Sequence, residues 1–422
     1  MSHSAILLFA LMNSIDWKRQ VPFWLTMAAV LAILASTAAY NILIAVALAA
    51  LLFSGEKLRM PPIKLPLALF MAGTLISIAL SGHMADGRPA IRKFYLFLIL
   101  LLVTSTFRKL AEVRWLILGL CAVMTFSALD GFAQFYQKMG EAEALHRGFY
   151  DYYTPARITG FMSHWMTLGG EEMMVILMGA ALVFFGPKDR LKSGVVAALG
   201  VVMASLLVGY TRSIWLGTAV GGVYLIWMWK RWWVLGLPVL GAVILVLNPL
   251  DLGERVRSIF APHGDTDSNQ FRVVCRRTGW EMIKAHPFFG LGPEQVKAQF
   301  ESYVPADIPR PLPSGWYGHL HNIYYHYAAE RGVPTMLALM WLLGKMLYDF
   351  WRGLARLPRE ASLARAVLFG AVAVILAMLA EGYYENNFGD GEPLALFLAI
   401  ASCGYLALRE GVGESEYGST LT

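Results

Sequence analysis

Residues 319–325 read His319-Leu320-His321-Asn322-Ile323-Tyr324-Tyr325. They close a polar stretch, 251–332, framed by the apolar runs VLGLPVLGAVILVL at 234–247 and VPTMLALMWLLGKMLYDF at 333–350. At about 1.5 Å per residue, each run covers part or all of roughly 30 Å of hydrocarbon. A polar segment tied at both ends to such runs is a cap on a membrane domain, and chemistry is to be sought there.

Outward from this stretch the chain stays apolar. Of its 422 residues 57% are hydrophobic and only 15% charged, with a mean hydropathy of +0.53, whereas about a quarter of residues are charged in an average soluble chain. The composition indicates an all-α polytopic membrane protein in contact with the lipid bilayer. The net charge of +6 fits lysines and arginines in cytoplasmic loops rather than a nucleic-acid partner. The span rule predicts twelve transmembrane helices, at 21–36, 40–53, 65–81, 91–106, 115–136, 164–185, 194–209, 213–229, 232–247, 333–350, 364–380 and 393–408. The chain thus divides into spans one to nine (1–248), a mainly helical loop domain (249–332), and spans ten to twelve with a tail (333–422). Cys121, Cys275 and Cys403 lack disulfide or zinc spacing and read as small core residues. The segment 1–13 has no basic start and no cleavage site, so it is not read as a signal peptide.

A cytoplasmic N-terminus makes every short cytoplasmic loop basic, with Lys57 and Arg59, Arg108 and Lys109, Lys188 and Arg190, and Arg352 and Arg356 as examples. The long loop then lies outside, in the periplasm of a bacterial inner membrane. Several arginines break this bias by falling on the outer side: Arg88, Arg147, Arg157, Arg212, Arg255, Arg272, Arg276 and Arg277. Together they suggest a cationic basin for a multiply charged phosphate, because guanidinium gives bidentate, charge-assisted hydrogen bonds. Arg212 stands out, lying between two apolar spans with too few residues for an exposed loop. A charge so near hydrocarbon is expensive unless paired or facing a wet cavity.

Within the loop a helix is expected over 269–285, carrying Phe271, Val274, Thr278 and Met282 along one side and placing Arg272 and Arg276 together on another face. Gly290-Leu291-Gly292-Pro293 makes a turn, with Pro293 at the start of a second helix to about Tyr303. A third helix runs from near His321 to Gly332. His3, His83, His146 and His263 read as solvated. No metal site is expected, because His321 and Tyr325 do not form the two-histidine face of a zinc helix and His326 is five residues from His321. Beside the arginines, His321 suits a general base acting on a hydroxyl, with Asn322 and Tyr325 as neighbouring binding candidates.

These residues resemble a known family, the bacterial O-antigen ligases of the O-antigen ligase and polymerase superfamily. The likeness rests on Tyr210-Thr211-Arg212-Ser213, on Phe271-Arg272, on His286-Pro287-Phe288-Phe289-Gly290-Leu291-Gly292, and on His321-Asn322-Ile323-Tyr324 followed by Glu330-Arg331-Gly332, in that order on a twelve-span layout. Thr211 stands where the family commonly has serine. The resemblance implies a GT-C-like glycosyltransferase of the inner membrane that works without metal or other cofactor and inverts the anomeric centre. It implies an undecaprenyl pyrophosphate-linked O-antigen donor and a lipid A-core acceptor. Arg212 and Arg272 would hold the pyrophosphate, and His321 would act on the acceptor hydroxyl. Two alternatives stay open: an O-antigen polymerase with a lipid-linked glycan acceptor, and a non-enzymatic transporter.

Overall fold

A computed structural model describes residues 17–248, 252–258 and 269–412. The segment 1–13 with His3, and His263, lie outside the described residues. Among those described the chain is helical without strands. The longer helices, numbered in chain order, are α1 (Trp17–Ile33), α2 (Thr37–Ser54), α3 (Lys64–Leu80), α4 (Leu98–Thr106), α5 (Leu110–Ala144), α6 (Trp165–Phe185), α7 (Lys192–Val208), α8 (Arg212–Lys230), α9 (Leu237–Leu247), α10 (Asn269–Ala285), α11 (Ile323–Arg331), α12 (Val333–Arg356), α13 (Leu363–Glu381) and α14 (Gly391–Val412). Helix starts carry their own chemistry. Ser36 accepts from the Ala39 N–H at 3.4 Å, and the Glu112 carboxylate takes the N–H groups of Arg108 and Lys109 at 2.7 and 3.1 Å.

Each of the twelve expected stretches carries helix. Six helices among the described residues are long and apolar enough to cross a membrane: Thr37–Ser54, Arg88–Thr106, Leu110–Ala144, Trp165–Phe185, Leu363–Glu381 and Gly391–Gly411. Three stretches differ locally from expectation. The one at 91–106 is a composite of Arg88–Arg92, a 3-10 turn over Lys93–Phe97, and α4. The one at 115–136 is the middle of the much longer α5, and the one at 232–247 begins with a 3-10 turn over Arg231–Gly236.

At the centre, α8 packs between α6 and α13 through small residues. A Cβ at Gly217 would lie 2.9 Å from the Ala377 carbonyl and 2.6 Å from the Met173 sulfur, and one at Gly221 would lie 2.9 Å from the Ala373 carbonyl. Two glycines four apart thus seat α8 on the backbone of α13, the close approach by which helices associate without a hydrophobic driving force. The N-terminus of α8, with Arg212, is thereby fixed to the bundle.

The polar cap has an apolar core of its own, including Phe271, Val274, Cys275, Met282, Leu291, Val296, Phe300 and Leu320. The three cysteines are free and buried. α10 has the expected bounds. The second cap helix starts later than Pro293, at Gln295, because Glu294 takes a left-handed backbone (φ 68°) while its N–H donates to the Glu330 carboxylate at 2.7 Å. The turn over 287–292 is a latch. The N–H groups of Leu291, Gly292 and Val333 donate to the carbonyls of Ala329, Glu330 and Pro287, each at 2.8 Å. Gly332 has φ 81°, and a Cβ there would lie 2.0 Å from the Phe288 carbonyl oxygen. The latch fixes where α11 hands over to α12.

Candidate active site

Arg212 is the first residue of α8, two positions after Tyr210, which is buried with φ 49°. Its Nη1 donates to the carbonyl and hydroxyl oxygens of Ser258 at 3.0 and 3.2 Å. Beside it, the buried Arg255 donates to the Tyr210 carbonyl at 2.9 Å and to the Tyr150 hydroxyl at 3.0 Å. Arg157 donates to Thr211 Oγ1 at 3.2 Å. Burial, then repulsion from Arg255, with Arg272 and Arg212 adding to it, pushes the Arg157 guanidinium down to about 9. It remains a cation at neutral pH, and its hydrogen bond to Thr211 places it next to Arg212.

α10 buries Phe271, Val274, Cys275, Thr278 and Met282, leaving Arg272 and Arg276 on a different face. These two, with Arg212, Ser213, His321 and Tyr383, line one cleft of ≈ 400 Å³. Arg276 Nη1 reaches the Tyr383 hydroxyl at 3.4 Å, and Arg272 Nη2 lies 3.6 Å from Glu385 Oε2.

His321 precedes α11 and takes a left-handed backbone, φ 48°, a costly conformation for a residue with a side chain and one that concentrates at functional sites. Its N–H donates to His319 Nδ1 at 3.1 Å, and its ring meets that of Phe271 in a T-shaped contact at 4.9 Å between centroids. Nδ1 is 2.9 Å from Glu385 Oε1, and Nε2 is 3.2 Å from the Trp316 carbonyl oxygen. Burial alone would raise the Glu385 carboxyl. The His321 ring, by charge and hydrogen bond, then His319 and Arg272, outweigh burial and hold it well below the usual carboxylate range. An ionised Glu385 accepts the Nδ1 proton; the Trp316 carbonyl is also an acceptor, so Nε2 donates to it in this arrangement and offers a lone pair only once that carbonyl moves away. His319 Nε2 is 3.6 Å from the same carboxylate oxygen, and burial pushes its imidazole down to about 4 against the pull of Glu385.

Of the residues singled out in the sequence, Arg212, Arg272, Arg276 and His321 meet in this cleft. Asn322 is fully buried with both ends of its amide occupied: Oδ1 accepts from the Tyr325 N–H at 2.9 Å, and Nδ2 donates to the Tyr383 carbonyl at 2.8 Å. It caps α11 and ties it to the 382–390 loop instead of facing a ligand. Tyr325 lines an adjoining groove, and Arg88 sits exposed, lining neither. Glu385 and Tyr383 were not singled out, since each lies far along the chain from its partners; the acidic, cation-free run 381–392 was the available signal. The ligand atoms of His319, His321 and Glu385 all lie within 4.8 Å of one another, a trio able to hold a metal ion. Sequence spacing had pointed away from metal because the third ligand comes from another loop.

No curated protein matches the chain. A family model does, that of O-antigen ligase, over residues 195–340, a segment running from α7 into α12 and holding all three cleft arginines and His321. Over that segment the chain is similar to O-antigen ligases.

Proposed function

We propose that this protein is an O-antigen ligase of the bacterial inner membrane, with twelve transmembrane helices and a cleft that opens to the periplasm. It moves O-antigen glycan from undecaprenyl pyrophosphate to a sugar hydroxyl of lipid A-core. The observation that carries this reading is the meeting of three arginines with a carboxylate-held histidine in one cleft. Arg212 and Arg272 hold the pyrophosphate, with Arg276 adjacent, and preorganised guanidinium groups stabilise the negative charge that grows on the leaving oxygen. Glu385 fixes the His321 tautomer, and Nε2 takes the acceptor hydroxyl proton as the oxygen attacks C1 from the side opposite the pyrophosphate. The C1–oxygen bond breaks with its electron pair going to the pyrophosphate, so the anomeric centre inverts. The Trp316 carbonyl now occupies the direction of Nε2, so an acceptor hydroxyl must replace it there, and acceptor binding shifts that loop.

This mechanism needs no metal, and Arg272 beside Glu385 supplies the positive charge a cation would bring. The test is purified protein with lipid-linked glycan and lipid A-core, with and without EDTA, scored for glycan on each lipid. Transfer to lipid A-core that survives EDTA is expected. Glycan appearing only on a second lipid-linked glycan would replace this reading with a polymerase, and loss of transfer with EDTA would assign the His319, His321 and Glu385 trio to a metal.

A further inference from the structure

The face of α10 that reaches the cleft does not end there. Arg272, Arg276 and Trp280 follow one another at four-residue intervals and so stand in one row. Eight residues of helix carry that row about 12 Å along the axis. Beyond Arg276 lies a second groove of ≈ 520 Å³, lined by Val273, Arg276, Arg277, Trp280, Tyr325 and Tyr383. Val273, Arg276 and Tyr383 belong to both hollows. The groove is therefore a continuation of the reaction cleft.

Its chemistry differs from that of the cleft. Arg277 is neutralised by both oxygens of Asp307, at 2.8 and 2.7 Å, and Glu281 by Lys284 at 2.8 Å. Flat aromatic surface remains, with the Arg276 guanidinium at the end shared with the cleft. Trp280 is 51% exposed and Tyr383 44%, and the Trp280 ring stands 6.5 Å from Tyr325 at 52°. Large aromatic side chains left in water next to a polar cleft mark a binding surface, because one side is apolar while hydroxyl and indole N–H groups remain available as polar handles. A pyranose ring has the matching pattern, with C–H groups on its faces and hydroxyls around its edge. A pyrophosphate has no such face, and a lipid tail has no such edge.

We propose that the Trp280, Tyr325 and Tyr383 groove binds a short oligosaccharide segment, the sugars next to the reacting bond, by stacking ring faces on Trp280. This rests on the glycosyl-transfer reading of the adjoining cleft. The sugars come from the donor glycan or from the acceptor core, and two soluble probes separate these sources: glycan freed of undecaprenyl pyrophosphate, and core oligosaccharide freed of lipid A. Sugar-free undecaprenyl pyrophosphate is the third probe. Full-length wild type, Trp280→Ala and Trp280→Phe are compared for binding of each probe by saturation-transfer NMR and for transfer kinetics. Wild type is expected to bind one sugar probe. Trp280→Ala should weaken that binding about tenfold and raise KM for the matching substrate alike, with kcat and sugar-free lipid binding unchanged, while Trp280→Phe retains most of the affinity. With half its surface in water, Trp280 can be truncated without opening a core. Equal sugar binding by wild type and Trp280→Ala, or no sugar binding by wild type, overturns the groove. Wild type that binds sugar through Trp280 but transfers nothing sinks the ligase reading and leaves the groove standing.

Discussion

The reaction cleft and the latch behind it are both built from residues that stand out in the sequence, yet they use them in opposite ways. In the cleft, the side chains of Arg212, Arg272, Arg276 and His321 line open volume. In the latch, His286-Pro287-Phe288-Phe289-Gly290-Leu291-Gly292 meets Glu330-Arg331-Gly332 backbone to backbone, and a Cβ at Gly290 would fall 2.3 Å from the Glu330 carbonyl carbon. One region needs functional groups and the other needs their absence. A motif marks both equally, so the physical demand behind each residue type has to tell them apart.

The sharpest way to break this contrast is at His321. If the cleft alone carries chemistry, His321→Ala lowers transfer on the order of 10²- to 10⁴-fold with donor binding and melting temperature unchanged. Near-normal transfer by His321→Gln, which still hydrogen-bonds, would reduce His321 to a structural residue. The latch predicts the reverse. Gly332→Ala adds a Cβ 2.0 Å from the Phe288 carbonyl oxygen at φ 81°, a cost of about 2–4 kcal/mol. It is read as a lower melting temperature or loss of monodisperse protein; an unchanged melt would show that the latch yields.

Between these extremes, Arg272→Lys keeps a charge but loses the planar fork, and transfer should fall roughly 10- to 100-fold in well-folded protein. Arg212→Lys should do likewise. Full activity in both would remove bidentate pyrophosphate binding. Glu385→Gln should lower transfer about tenfold by releasing the His321 tautomer, and no loss would mean the carboxylate only packs. The smallest effect separates the two histidines. His319 stays neutral until the pH falls to about 4, so an acidic limb in the pH–rate profile above that pH does not come from His319. That limb should persist in His319→Ala and be absent from the residual activity of His321→Ala. Its disappearance in His319→Ala would move the base by two residues.

Much of this was legible in one dimension because periodicity and charge are local. Arg272 and Arg276 share a face by helical spacing, α10 keeps its expected bounds, and the charge bias isolated Arg212 before any contact was known. What stayed hidden depends on distant pairings. Glu385 meets His321 across 64 positions of sequence, and nothing in its own neighbourhood announces a histidine partner. Asn322 looked like a binding residue because an amide beside a histidine is chemically able to be one; only its two occupied ends reveal a clamp. Tyr324 belongs to the same clamp, donating to the Leu379 carbonyl at 2.7 Å.

α5 also fixes a height. Its Gln134 side chain accepts from the N–H groups of Thr159 and Gly160 at 2.8 and 3.2 Å, and its Ser127 accepts from Phe161 at 3.1 Å. The loop that carries Arg157 is therefore pinned at a set distance along this helix. From Leu110 to Gln134 that distance is about 36 Å, slightly more than the roughly 30 Å of a hydrocarbon core. Were α5 to enter the hydrocarbon near Leu110, this length would bring the loop to the far headgroup region. A helix cannot shorten to follow a thinner bilayer; it tilts or distorts the lipid around it. Reconstituted in lipids of graded chain length, the protein should therefore show an optimum thickness for turnover, as a ruler-set gap between fixed guanidinium groups and a floating phosphate requires.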